Sequence, residues 1–455
     1  VHVRGSEINI KALTGLSFVT SIHFADKSLN LKQVQQKKES KLETVSTSFI
    51  YGNALNQIQM IKGDQLHLAN YTGNGMTIAL LDAGFPNVHL MASFKRLRDA
   101  GHLLDDYDFV NRDDDVYTNT ISSHGTLVLS TMAGYVDNDY VGTAPDASYY
   151  LFITEDAASE NPVEESYWVE AVERADSLGV DIINTSLGYT TFDNPSYNYT
   201  PSDMNGNTAF ITKGANIAFE KGMLLVNSAG NDGNNTWEIV GAPADAAGVF
   251  TIGAVDASGD YASFSSIGSA IQPTQKPDVV AQGLGSAVID DDDALLALNG
   301  TSFSSPILAG GIACLWQALP NKTNAEIMQL VRASASQFNT PDYLLGYGIP
   351  NLQLALNNAL SLGDSQENNF DIKIFPNPVS NNLNILLPEI FLTLSIFFIL
   401  MVGVFTKKSF ILIFNLTSLI IIITIAIIFN SSSSEEKIFL DSFTRDPFSN
   451  FFKIL

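Results

Sequence analysis

From Tyr71 onward the chain repeats one pattern: a short run of aliphatic and β-branched residues, a polar break, then a longer stretch with apolar residues at helical spacing. The runs at 76–81 (MTIALL), 149–154 (YYLFIT), 180–184 (VDIIN), 223–227 (MLLVN), 249–255 and 276–281 predict strands. Several are continuous apolar stretches, as expected of strands covered on both faces. Residues 124–135, 164–178 and 207–221 predict helices between them. Strand–helix alternation implies right-handed crossovers and a parallel sheet in an α/β sandwich.

The flanks follow other patterns. Residues 8–13 predict a short helix or turn, 16–24 a strand, and 25–48, rich in Lys, Gln, Glu and Ser, an exposed linker. The start, Val1-His2-Val3, has no initiator Met and reads as a fragment beginning after any signal peptide. After a polar break at 365–369, residues 370–385 predict an alternating strand pair around Pro376-Asn377-Pro378. Residues 386–406 and 409–429 are then almost free of charge, with Lys407 and Lys408 between them. Their length and charge placement predict a transmembrane helical hairpin, the rival being a buried pair of core helices.

Composition sharpens this division. The 455 residues carry 24 Lys+Arg against 48 Asp+Glu, a net charge of −24. Residues 1–50 are mildly basic and 386–455 balanced, so the acidic excess belongs to 51–385. Such a surface argues against nucleic acid as a partner and suits a protein in extracellular surroundings. The single Cys, Cys314, excludes a disulfide framework or a Cys-based metal cluster and reads as a small buried hydrophobe.

Four segments place a reactive residue at a strand end or a helix start. Asp82 closes the apolar run 79–82, where open α/β sheets carry their sites, although a turn or capping Asp is the commoner reading of any lone one. His124 opens a helix of small and aliphatic residues, where the dipole disfavours its protonated form. Asn231 lies in a loop with Gly230 and Gly233, which expose its amide, or else form an ordinary turn. Ser302, in GTSFSSPILAG, sits at the start of a buried helix whose N–H groups and dipole favour an oxyanion; a plain Ser cap is the alternative.

In the order Asp, His, Asn, Ser, these segments resemble those of the subtilisin-like serine proteases, the subtilases, over roughly residues 52–360. The resemblance implies a subtilisin-like three-layer sandwich around a central, mostly parallel sheet. It implies a serine endopeptidase in which Ser302 attacks, His124 takes the proton, Asp82 orients the imidazole, and Asn231 holds the oxyanion. Residues 183–188 (INTSLG) resemble the strand that pairs with the substrate, so Ser186, Leu187 and Gly188, with Gly230, are candidate substrate-binding residues. No cofactor is needed for this chemistry. The acidic runs 105–108 with 113–115, and 290–293, could chelate structural calcium, but they match no fixed ligand spacing and read better as solvated loops. The implied partners are polypeptide substrates and the chain's own propeptide as inhibitor, on a secreted or cell-surface monomer.

The ends carry weaker resemblances. Residues 1–26 resemble the remnant of an inhibitory prodomain, followed by a linker over 27–50 and a catalytic domain over 51–362. Residues 363–385 resemble a linker and the truncated start of a type IX secretion sorting domain. Residues 386–430, before a tail at 431–455, resemble the hairpin of an antiporter-like membrane subunit of NADH:quinone oxidoreductase. A sorting module broken where the composition jumps suggests a chimera joined near Ile385 and Leu386. Two rival functions remain: a non-catalytic peptide-binding scaffold, and, for the tail alone, a fragment of a respiratory membrane subunit.

Overall fold

The computed structural model describes residues 49–118 and 120–367, together with the short strands Glu436–Ile438 and Phe443–Arg445. The chain divides into two compact units, Val1–Asp364 and Ser365–Leu455. The prodomain remnant, most of the linker, the sorting-domain start and the membrane hairpin lie outside the described residues. Among those described, no helix is long and apolar enough to cross a membrane. In the second unit the two short strands pair antiparallel.

The first unit is built on one seven-stranded sheet. Its strands are β1 (Thr77–Asp82), β2 (Leu103–Asp108), β5 (Ser148–Ile153), β6 (Ile182–Thr185), β7 (Leu224–Ser228), β8 (Val249–Val255) and β9 (Val279–Gln282). The hairpins β3 (Tyr135–Val136) with β4 (Tyr140–Val141), and β10 (Ser286–Ile289) with β11 (Leu295–Leu298), stand apart from it. The sheet order is β2-β5-β1-β6-β7-β8-β9, and every pairing is parallel. The six strands predicted between 76 and 281 all form, and β2 was not predicted; those expected at 16–24 and 370–385 lie outside the described residues.

Side-chain alternation divides the core in two. Ile78, Leu80, Ile182, Leu224 and Val226 enter one apolar cluster, while Ala79, Leu81, Ile183 and Leu225 enter another on the opposite face. Helix His124–Ala133 and the helix Thr301–Ala318 pack together on the first side. Helices Val163–Leu178 and Phe210–Glu220 pair on the second. This gives the expected three layers, and both faces of the central strands are dry.

The Thr301–Ala318 helix crosses β6, β7, β8 and β9 and is buried along almost its whole length, which explains its lack of a polar face. Cys314 is fully buried on it, and its thiol donates to the Thr143 carbonyl at 3.3 Å. His67 also finds partners within this core: Tyr51 Oη lies 3.0 Å from Nδ1 and the Thr143 carbonyl 3.0 Å from Nε2. Burial pushes its pKa down to about 4.

Candidate active site

Strand β1 lies between β5 and β6, so its C-terminal end opens between two neighbouring loops at the carboxyl edge of the sheet. Asp82 is its last residue and is buried. The carboxylate meets His124, the first residue of its helix, with Nδ1 at 2.8 Å from Oδ1 and 3.0 Å from Oδ2. An Nδ1–H donated to the carboxylate leaves Nε2 of this half-buried ring with a free lone pair. Burial, the strongest single influence, lowers the imidazole pKa, but the charge and hydrogen bond of Asp82 together outweigh it and the net direction is upward. The helix-end argument alone pointed the other way, because it omitted the carboxylate.

Ser302 is the second residue of the Thr301–Ala318 helix, and the ring of Phe303 stands 6.3 Å from that of His124, centroid to centroid. The hydroxyl of Ser302 donates to the carbonyl of Ser186 at 3.4 Å and makes no hydrogen bond to His124 among the described residues. Pro306 accounts for another contact. A proline four residues on cannot donate to the Ser302 carbonyl, and its ring pushes that carbonyl off the helix ladder. The hydroxyl of Ser186 fills the gap, donating to Ser302 O at 2.9 Å. Ser186 in turn accepts from Asn184 Nδ2 at 3.3 Å, and Asn184 Oδ1 accepts from Ser305 at 3.0 Å. The end of β6 is thereby fastened to the serine-bearing helix.

Asn231 has its amide orientation fixed by the same helix. Its Oδ1 accepts from the Thr301 N–H at 2.9 Å and the Thr301 hydroxyl at 3.1 Å. The Thr301 hydroxyl also accepts from the Gly230 N–H at 3.2 Å. With Oδ1 taken, Nδ2 is the amide's remaining donor, and no hydrogen bond occupies it among the described residues. Gly230 (φ +104°) and Gly300 (φ +156°) occupy conformations that suit glycine; a Cβ on Gly230 would stand 2.7 Å from Ser266 Oγ.

A cleft of about 240 Å³ adjoins this group. Its lining includes all four candidate substrate-binding residues, Ser186, Leu187, Gly188 and Gly230, together with Asn231 and Ser302. Asp232 comes from the same glycine-flanked loop as Asn231, whereas Thr190, Gly241 and Ala244 also line the cleft but come from loops without a chemical signature in the sequence. Asn184 was legible in principle, as a polar residue closing an apolar strand. A second, larger hollow of about 510 Å³, lined in part by Arg96, Tyr135 and Asp293, holds none of the candidate catalytic residues.

The acidic runs are otherwise employed. Asp108 accepts from the N–H groups of Val110 and Asn111, Asp115 from those of Tyr117 and Thr118, and Asp293 from those of Ala92 and Ser93. Carboxylates capping loops in this way fit a calcium ion poorly, and no group of three or more His, Cys, Asp or Glu among the described residues could hold a metal.

A parallel α/β sheet with an Asp–His pair at one strand end, and a serine and an oriented carboxamide at a helix start, defines the class of acyl-transferring serine hydrolases. The Subtilase family model (Peptidase_S8) matches residues 73–348. Among curated proteins, Subtilisin NAT from Bacillus subtilis subsp. natto is 30% identical over 300 residues, covering 66% of this chain and 70% of the relative. The thermostable alkaline protease of Halalkalibacterium halodurans (strain ATCC BAA-125 / DSM 18197 / FERM 7344 / JCM 9153 / C-125) is 28% identical over 324 residues, covering 71% and 77%. The crystal structure of MycP1 with the N-terminal propeptide removed shares the fold at 22% identity and a TM-score of 0.51, over 66% of this chain and 96% of that one. The chain belongs to the subtilase family and is a serine protease of that family.

Proposed function

We propose that this protein is a secreted serine endopeptidase that hydrolyses peptide bonds through an acyl-enzyme. The observation that carries the reading is the Asp82–His124 pair facing the same helix start at which Thr301 orients the Asn231 amide. With substrate bound, the Ser302 hydroxyl leaves its long contact with Ser186 and donates to His124 Nε2. Catalytic hydrogen bonds commonly tighten only in that complex. The hydroxyl oxygen then adds to the scissile carbonyl while the imidazole takes its proton, and Asp82 stabilises the resulting imidazolium.

Negative charge collects on the former carbonyl oxygen. The N–H of Ser302 and Nδ2 of Asn231 are the donors suited to it, and both are free of other acceptors among the described residues. His124 next protonates the leaving amine. Water, deprotonated by the same imidazole, then releases the acyl group and restores Ser302. Residues 186–188 and Gly230 would hold the substrate backbone and the side chain entering the cleft, and no cofactor takes part.

The acidic surface of 51–385 supports an extracellular setting, and the resemblance of residues 1–26 to a prodomain supports inhibition by the chain's own N-terminal segment. Type IX export and the membrane hairpin rest on the sequence of residues 370–429 alone. Cleavage of an unfolded protein such as casein by the full chain, compared with Ser302→Ala, tests the reading. The wild type should cleave and the variant should not; equal cleavage by both would remove Ser302 from the reaction.

A further inference from the structure

Besides residues 228–232, Thr301 and Ser302, the cleft is lined by two segments, 186–190 after β6 and 241–244 before β8. They meet at one antiparallel bridge, where the Tyr189 N–H donates to the Ala242 carbonyl at 2.7 Å and the Ala242 N–H to the Tyr189 carbonyl at 3.2 Å. Gly188 and Thr190 face the cleft, so alternation turns the Tyr189 side chain the other way. Its ring is buried, stacked 6.1 Å from Phe192. Its hydroxyl donates to Glu155 Oε1 at 2.5 Å, and Thr154 Oγ1 donates to the same oxygen at 3.2 Å.

Glu155 follows the end of β5, and β5 is separated from β6 by β1. The Tyr189–Glu155 bond therefore spans the strand that carries Asp82 and ties the cleft wall to the loop beyond it. The charged groups facing Glu155, Glu164 and Glu160, are both acidic. Burial, seconded by those two carboxylates, holds its pKa well above the ordinary range against the opposing hydrogen bonds of Tyr189 and Thr154. The neutral acid is then an uncharged acceptor that glutamine can imitate.

We propose that Glu155, acting through the Tyr189 hydroxyl, is a positioning residue that fixes the place of the 186–190 wall of the cleft and so sets the affinity for the substrate residue that enters. The proposal rests on the protease reading above. It is tested in the full chain with Tyr189→Phe, Glu155→Ala and Glu155→Gln, measuring kcat and KM on a peptide substrate and the rate at which a small fluorophosphonate labels Ser302. Tyr189→Phe and Glu155→Ala should raise KM about tenfold, as expected for one lost, partly buried hydrogen bond to a wall, with kcat within about twofold. Glu155→Gln should keep KM within about twofold of wild type. Labelling rates should not change, because the small probe leaves the cleft empty.

Unchanged KM in both Tyr189→Phe and Glu155→Ala would overturn the proposal, as would failure of Gln to preserve KM. So would labelling that slows in step with the rise in KM, since that marks general damage to the site. Tyr189→Phe, which keeps the buried ring, carries the test should Glu155→Ala not fold. A wild type that neither labels nor cleaves would instead remove the protease reading on which the proposal stands.

Discussion

The contact between Ser186 and the Ser302 carbonyl gives a sharp quantitative expectation. Pro306 leaves that carbonyl without a helical donor, and Ser186 Oγ supplies one at 2.9 Å from a buried position. Ser186→Ala should therefore leave an unpaired carbonyl at the heart of the site, at a cost of about 1–3 kcal/mol. The weaker 3.3 Å bond from Asn184 adds little. Pro306→Ala restores an N–H four residues beyond Ser302, so the same Ser186→Ala change should cost less than about 1 kcal/mol in that background. The four chains of the double-mutant cycle are best compared by urea denaturation, all with Ser302→Ala so that self-cleavage cannot intrude. That substitution keeps the backbone carbonyl under test. A coupling of about 1 kcal/mol or more is expected, and a value below about 0.3 kcal/mol would refute the claim that Ser186 replaces the bond the proline removes.

Other expectations follow from the same geometry. Asn231→Leu should lower kcat about 10²–10³-fold with little change in KM, a magnitude carried over by analogy with an oxyanion-hole asparagine of subtilisin; steady-state kinetics would show it. Asp278 is buried between Lys276, at 3.0 Å, and Arg332, whose Nε lies at 2.8 Å. Burial raises its carboxyl pKa, but the two cations outweigh that and the net direction is downward, whereas burial, seconded by repulsion from Arg332, pushes Lys276 down against the opposing pull of Asp278 and Asp245. Asp278→Asn should cost about 3–5 kcal/mol in denaturation at pH 7. The wild-type contribution is present above the ordinary carboxylate pKa and disappears as pH falls through the lowered one, so the gap between the two proteins should close in acid. His67, held near 4, adds stability above its ordinary value of 6.5 that is lost as pH falls toward about 4. His67→Asn should flatten the melting-temperature profile across that window.

The strands and the four chemically distinctive residues were legible because each left a local mark. Buried parallel strands are continuous apolar runs, and Asp82, His124, Asn231 and Ser302 each sit at a strand end, a helix start or a glycine-flanked loop. Strand β2 escaped because an edge strand needs no such run: Asp105 and Asp106 sit within it, and Asp105 pairs outward with Arg174 at 2.6 Å. The acids at 290–293, read from the sequence as an exposed charged loop, form the connection between β10 and β11, two short strands that the sequence did not announce. The helix expected from 207 begins at Phe210, because Asn205 organises the preceding residues into a turn through Asn207 and Thr208. Glu155 and Tyr189 were not legible at all. They are 34 residues apart, and only the ordering of β5, β1 and β6 in the sheet brings them together.

The account depends most on Ser302 being the nucleophile. The direct test is to treat the full chain with a fluorophosphonate and map the adduct by peptide mass spectrometry. A single adduct on Ser302, abolished by His124→Ala and by prior denaturation, is the expected result. A folded chain that takes up no probe, or takes it up on another residue while Ser302 stays unmodified, would contradict it.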